Sequence, residues 1–127
     1  MPLRVEVDSE KKVILAYGEG VVTDQDLLDY VHEYLSGGEL SRFDELFDLS
    51  EADVRDLTYP GLSAVATAAA ATDPDQGPIK IAILVSETRG MGVSRLYQSL
   101  RELKGGRRHT RVFWDPVECR EWLGLDS

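Results

Sequence analysis

A chain of 127 residues with 43% hydrophobic and 29% charged side chains has enough apolar material for one folded core without staples. Its net charge of −9 disfavours non-specific nucleic-acid binding, because phosphates are repelled at long range. A lone cysteine, Cys119, excludes an intramolecular disulfide and a cysteine-based zinc site, and no run approaches the ~20 apolar residues of a membrane span. The start, MPLRVEVDSEKK, lacks the apolar stretch of a signal peptide, so the expectation is a cytoplasmic protein forming a single domain over residues 1–127.

Leu3, Val5 and Val7 alternate with Arg4 and Glu6, which predicts a half-buried first strand. Asp8-Ser9-Glu10-Lys11 has turn chemistry and Val13 to Tyr17 form a second strand, so the pair reads as an antiparallel hairpin with a loose exit at Gly18 and Gly20. Thr23 is the expected N-cap of a first helix, with Asp26 at the capping-box position and an apolar stripe of Leu27, Leu28, Val31, Tyr34 and Leu35. That helix is expected to stop near Gly37-Gly38.

Phe43 to Leu49 predicts a third strand, followed by a polar linker from Glu51 to Thr58. Pro60 suits the first turn of a second helix carrying Leu62, Val65, Ala66, Ala69 and Ala70, whose small residues imply close packing on a sheet. Asp73-Pro74-Asp75 and Gly77-Pro78 form the next loop. Ile79 to Val85 is an almost unbroken apolar run, the mark of a fourth strand buried on both faces. After a turn with Gly90 and Gly92, the residues Val93, Leu96, Tyr97, Leu100 and Leu103 recur at helical spacing up to Gly105. Thr110 to Trp114 is the last strand, and Asp115-Pro116-Val117-Glu118 starts a short final helix with Cys119, Trp122 and Leu123.

The order β-β-α-β-α-β-α-β-α predicts an α/β fold with one mixed, mostly parallel sheet of about five strands, an antiparallel N-terminal hairpin and helices on both faces. Its charge is uneven: residues 1–78 hold 5 Lys/Arg against 17 Asp/Glu, or −12, and residues 79–127 hold 9 against 6, or +3. The basic run Lys104, Arg107, Arg108, His109 and Arg111 reads as a solvated loop between a helix and a strand, with an anion-binding patch as the alternative.

Little in the chain points to catalysis. His32 and His109 lack the spacing that puts two metal ligands on one helix face, and Cys119 reads as packed, not nucleophilic. The glycine turn has no Lys-Ser/Thr after it, so it is no phosphate-hydrolysing loop. Arg95 stands in the first turn of the third helix, where a cation opposes the helix dipole. It is therefore expected to meet Glu87, Asp48 or Asp53, or a bound anion held with the Gly90–Gly92 backbone. No cofactor or metal is called for.

The order and its motifs resemble the STAS/SEC14-type fold, and in particular the small bacterial SpoIIAA-like proteins. The carriers of the resemblance are Val22-Thr23 after a Gly-rich exit, FDLSEAD over Phe47 to Asp53, GVSRLYQSL over Gly92 to Leu100, and VFWDPVECREWLG over Val112 to Gly124. The better-known STAS relatives are non-enzymatic regulators that bind a kinase and are phosphorylated on a Ser in a D-S-S-G-L segment. Matching Gly61-Leu62 to its Gly-Leu puts the accepting Ser on Tyr59 and its neighbouring Asp on Thr58, so only Thr58 or Ser63 is left to replace it.

The resemblance implies a non-enzymatic, regulatory protein-binding module, with a homodimer as one form. It would use the strand-carboxyl end around Ser50, Thr58, Tyr59, Gly61, Leu62, Gly90, Gly92, Arg95 and Tyr97. Its SEC14 relation implies the alternative: a carrier or sensor of a small apolar or anionic, lipid-like ligand in a cleft near the third-strand and fourth-strand carboxyl ends, of ~300 Å³ between the second helix and the sheet. A partner-binding face is expected to expose Tyr59 and Leu62 together as an apolar patch.

Overall fold

The computed structural model describes residues 2–73, 79–104 and 108–125. Most of the Asp73–Pro78 loop, Gly105 and Arg107 lie outside the described residues. The hairpin forms as expected: β1 (Leu3–Asp8) pairs antiparallel with β2 (Val13–Gly18), Leu3 opposite Gly18 and Asp8 opposite Val13. Asp8 Oδ1 accepts the N–H groups of Glu10 and Lys11 at 3.1 and 3.0 Å, and Lys12 completes the turn with a left-handed φ of 56°.

Helix α1 (Asp24–Tyr30) is fastened by a reciprocal capping box, the Thr23 hydroxyl accepting from Asp26 N–H and the Asp26 carboxylate from Thr23 N–H. The chain continues through one π-helical turn, Val31–Leu35, before Gly37 turns it away with a φ of +72°. A 3-10 turn (Glu39–Arg42) leads to β4 (Asp44–Asp48). Then come α2 (Tyr59–Ala70), β6 (Ile79–Leu84), α3 (Met91–Lys104), β7 (Arg108–Phe113) and α4 (Pro116–Leu123). Asp115 caps α4 through Val117 N–H at 2.9 Å, and Gly124 ends it in the left-handed region.

The main sheet runs β1-β2-β4-β6-β7, parallel from β2 onward. Every crossover steps the same way along the sheet, so right-handed connections carry α1, α2 and α3 to one face and leave the other to α4. The core divides accordingly. Ile14, Ala16, Ile81 and Ile83 pack on the three-helix side, while Val13, Leu46, Ala82, Leu84 and Phe113 meet Cys119 and Leu123 of α4. This alternation along β6 is why the fourth strand is apolar on both faces.

Two short strands, β3 (Gly20–Val21) and β5 (Ala52–Asp53), pair in parallel as a separate ribbon, where the sequence predicts only a glycine-rich exit and a polar linker. Two residues are too few to show a period of two. Leu103 is also misplaced by the pattern: it is 81% exposed at the end of α3, and the inward face of that helix is Ser94, Leu100 and Arg101.

The basic run is corrected as well. β7 begins at Arg108, opposite Ile79, so the Arg108 side chain turns into the protein and is buried, while Lys104 and His109 stay exposed. Among the described residues no helix is long and apolar enough to cross a membrane.

Candidate functional site

Helix α2 covers the sheet through Leu62, Val65, Ala66 and Ala69. Where Ala69 faces the strands, a short side chain leaves space unfilled, and a cavity of about 60 Å³ remains between α1, α2, α3 and the sheet. Its walls are mostly apolar: Leu27, Leu62, Val65, Ala69, Ile81, Ile83 and Val93. Polar groups enter from Tyr30, Glu45, Ser94 and Tyr97. The cavity is far smaller than the ~300 Å³ at the low end of ligand sites.

One side of the cavity borders a buried ionic network at the amino ends of β4 and β7. Tyr30 O–H donates to Glu45 Oε1 at 2.8 Å, and Arg108 Nη1 donates to Glu45 Oε2 at 2.8 Å. Arg108 Nε reaches Asp73 Oδ1 at 2.7 Å, and Arg101 Nη2 donates to both Asp73 oxygens at 2.8 and 3.0 Å. The backbone carbonyls of Phe43 and Ser41 take further Arg108 protons. Burial pushes the Glu45 carboxyl above its ordinary range, with Arg108 and the Tyr30 hydrogen bond pulling it back. Burial and the Glu45 charge together hold the Tyr30 phenol far above its usual value, so it remains a neutral donor.

Ser94, in the first turn of α3, is 3% exposed, and its hydroxyl has no hydrogen-bond partner among the described residues. The Tyr97 phenol, one turn on, also makes no hydrogen bond among the described residues, and burial raises its pKa. Both side chains line the cavity.

The residues expected at the site separate into distinct places. Leu62 and Tyr97 line the cavity. Leu62 is buried, so it forms no exposed patch with Tyr59, which is 60% exposed. Thr58 caps α2, its hydroxyl accepting Gly61 N–H at 3.0 Å and donating to Asp24 Oδ2 at 2.7 Å. A phosphate on Thr58 would face the Asp24 carboxylate, which opposes a phosphoswitch there.

Ser50 is held in a turn by Asp48, which accepts both its N–H and its hydroxyl. Gly90 adopts a φ of +89°, and a side chain there would press on Val85; Gly92 faces open space. Arg95 meets none of Glu87, Asp48 and Asp53. It is exposed, bonds Met91 Sδ through Nε at 3.3 Å, and meets no carboxylate among the described residues. Cys119 is fully buried on the α4 side, and burial pushes its thiol up to about 11.

Gly61 and Gly92 make a paired test of this geometry. A Cβ at Gly61 would collide with the Asp24 side chain that holds Thr58, whereas one at Gly92 meets nothing within 4 Å. Gly61→Ala is expected to lose about 1–3 kcal/mol by overpacking, and Gly92→Ala to gain about 0.5 kcal/mol from lower unfolded-state entropy. Thermal denaturation of the two variants reads both signs.

Sequence reasoning missed Tyr30, Glu45, Asp73, Ser94, Arg101 and Arg108. The available signal was Ser94, Tyr97 and Arg101 at i, i+3 and i+7, one polar line on the inner face of α3.

No family model and no curated protein matches the sequence. Among solved structures the chain is similar to an uncharacterized DUF3478-family protein with a SpoIIAA-like fold from Shewanella loihica PV-4. The identity is 14% and the TM-score 0.54, over 95% of this chain and 91% of that one. The protein has a SpoIIAA-like fold.

Proposed function

We propose that the protein is a non-enzymatic binding domain of the regulatory STAS type that takes up a small, largely apolar molecule between the sheet and helices α1–α3. The observation that carries this reading is the cavity itself, apolar-walled yet containing the unpartnered Ser94 hydroxyl. A buried hydroxyl without a partner is unfavourable by about 1–3 kcal/mol, and an occupant that bonds it removes that cost. The SpoIIAA-like fold supports a regulatory rather than catalytic role by analogy of fold. Native mass spectrometry of gently purified protein is expected to show a small non-covalent adduct. A bare mass, with no change in Tm across a panel of small apolar compounds, would overturn the reading.

A second reading, docking of a protein partner, is favoured by Tyr59. It is exposed on a helix start fixed by Thr58 and Asp24, and a rigid exposed aromatic makes a good anchor. Tyr59→Ala is expected to abolish capture of such a partner while leaving Tm unchanged. A lowered Tm would instead assign Tyr59 to the fold.

A further inference from the structure

The charges around the cavity bear on which molecule it takes. Glu45 is the one charged residue in its described lining, and both its oxygens are engaged, one by Tyr30 and one by Arg108. Neither Arg101 nor Arg108 lines the space, and both are turned to Asp73, Arg108 also to Glu45. An anionic ligand entering here would leave water for an apolar space, meet a carboxylate, and find no cation in the described wall. A cation would find a carboxylate whose two oxygens are taken. What the lining does offer is neutral: the Ser94 hydroxyl, able to donate or accept, and the Tyr97 phenol one helical turn away.

We infer that the cavity accepts an uncharged molecule, or the uncharged end of one, with a single hydroxyl or carbonyl oxygen bonded to Ser94 and an apolar remainder against Val65, Ala69 and Ile83. This rests on the binding reading above and names its ligand class: alcohols and ketones, not carboxylates, phosphates or amines. A volume of about 60 Å³ limits the part held inside to a few heavy atoms.

The test uses 1-butanol, butanoate and butylammonium on the full chain, with Kd taken from the dependence of Tm on probe concentration. The expected result is a butanol Kd at least about ten-fold lower than that of either ion, given the desolvation cost of a charge. Ser94→Ala, a substitution a helix accepts, is expected to weaken butanol about five-fold, the worth of one hydrogen bond, and to leave the free protein as stable or more so. Equal or tighter binding of butanoate or butylammonium overturns the inference and leaves the binding reading intact. So does a butanol Kd unmoved by Ser94→Ala. If none of the three binds, both the inference and the binding reading fail.

Discussion

Replacing Arg108 with methionine is expected to cost about 3–5 kcal/mol at neutral pH, the penalty for leaving a buried ionic partner uncompensated. The guanidinium is fully buried and joins Glu45 of β4 to Asp73 beyond the end of α2, both with almost fully buried side chains. Without it, Glu45 keeps the Tyr30 hydroxyl and Asp73 keeps Arg101. The pH dependence has a definite sign. Burial already raises the Glu45 pKa in the folded protein, so its contribution to stability is full below the ordinary glutamate value of about 4.3 and is lost as pH rises through the folded value. Removing Arg108 takes away the strongest opposing influence and raises that pKa further. The deficit of the variant therefore widens as pH rises from the acid side, and Glu45→Gln added to Arg108→Met recovers part of it. Urea unfolding across pH measures both effects. A loss below about 1 kcal/mol, the scale of an exposed pair, would show that the network is not what the structure makes it.

Leu62→Ala is the second large effect, expected to lose about 2–5 kcal/mol. Leu62 is 2% exposed, packs with Ala66 and Leu100, and already borders the cavity. Truncating it joins a new void to an existing one, and the neighbouring helices cannot collapse into both, which places the loss toward the upper part of that range. Tyr59, three residues earlier but on the outside of the same helix, is expected to tolerate alanine within about 0.5 kcal/mol. The contrast separates two residues that sequence reasoning places in one patch. Similar losses for both would mean that Tyr59 is packed and α2 is rotated from its observed position.

What was legible in the chain depended on the range of the signal. The Thr23–Asp26 capping box, the Asp8 turn and the Asp115-Pro116 start of α4 are local chemistry, complete within a few residues, and all three form. The two-faced burial of β6 follows from its unbroken apolar run, and the mixed five-stranded sheet follows from the order of elements. The ionic network was not legible, because its members are far apart in sequence. In Asp44-Glu45-Leu46-Phe47 an acid reads as the solvent side of a strand. Glu45 is instead buried because Tyr30 and Arg108, 15 and 63 residues away, reach it. Arg108 was hidden inside a basic run for the same reason: its inward direction depends on where β7 begins, and register against Ile79 is a tertiary property. The cavity was not legible either. The alanines of α2 read as close packing on the sheet, and the size of the cavity and the unpartnered Ser94 depend on how α1, α2 and α3 meet.

The central claim is that the cavity under α1–α3 is a binding site. The most direct measurement is a methyl and amide NMR titration of the full chain with 1-butanol. The predicted result is a set of saturable shifts concentrated on Leu62, Val65, Ala69, Ile83 and Ser94, the residues around the space. Shifts confined to the exposed apolar side chains Val7, Trp114 and Val117, with the cavity residues unmoved, would contradict it.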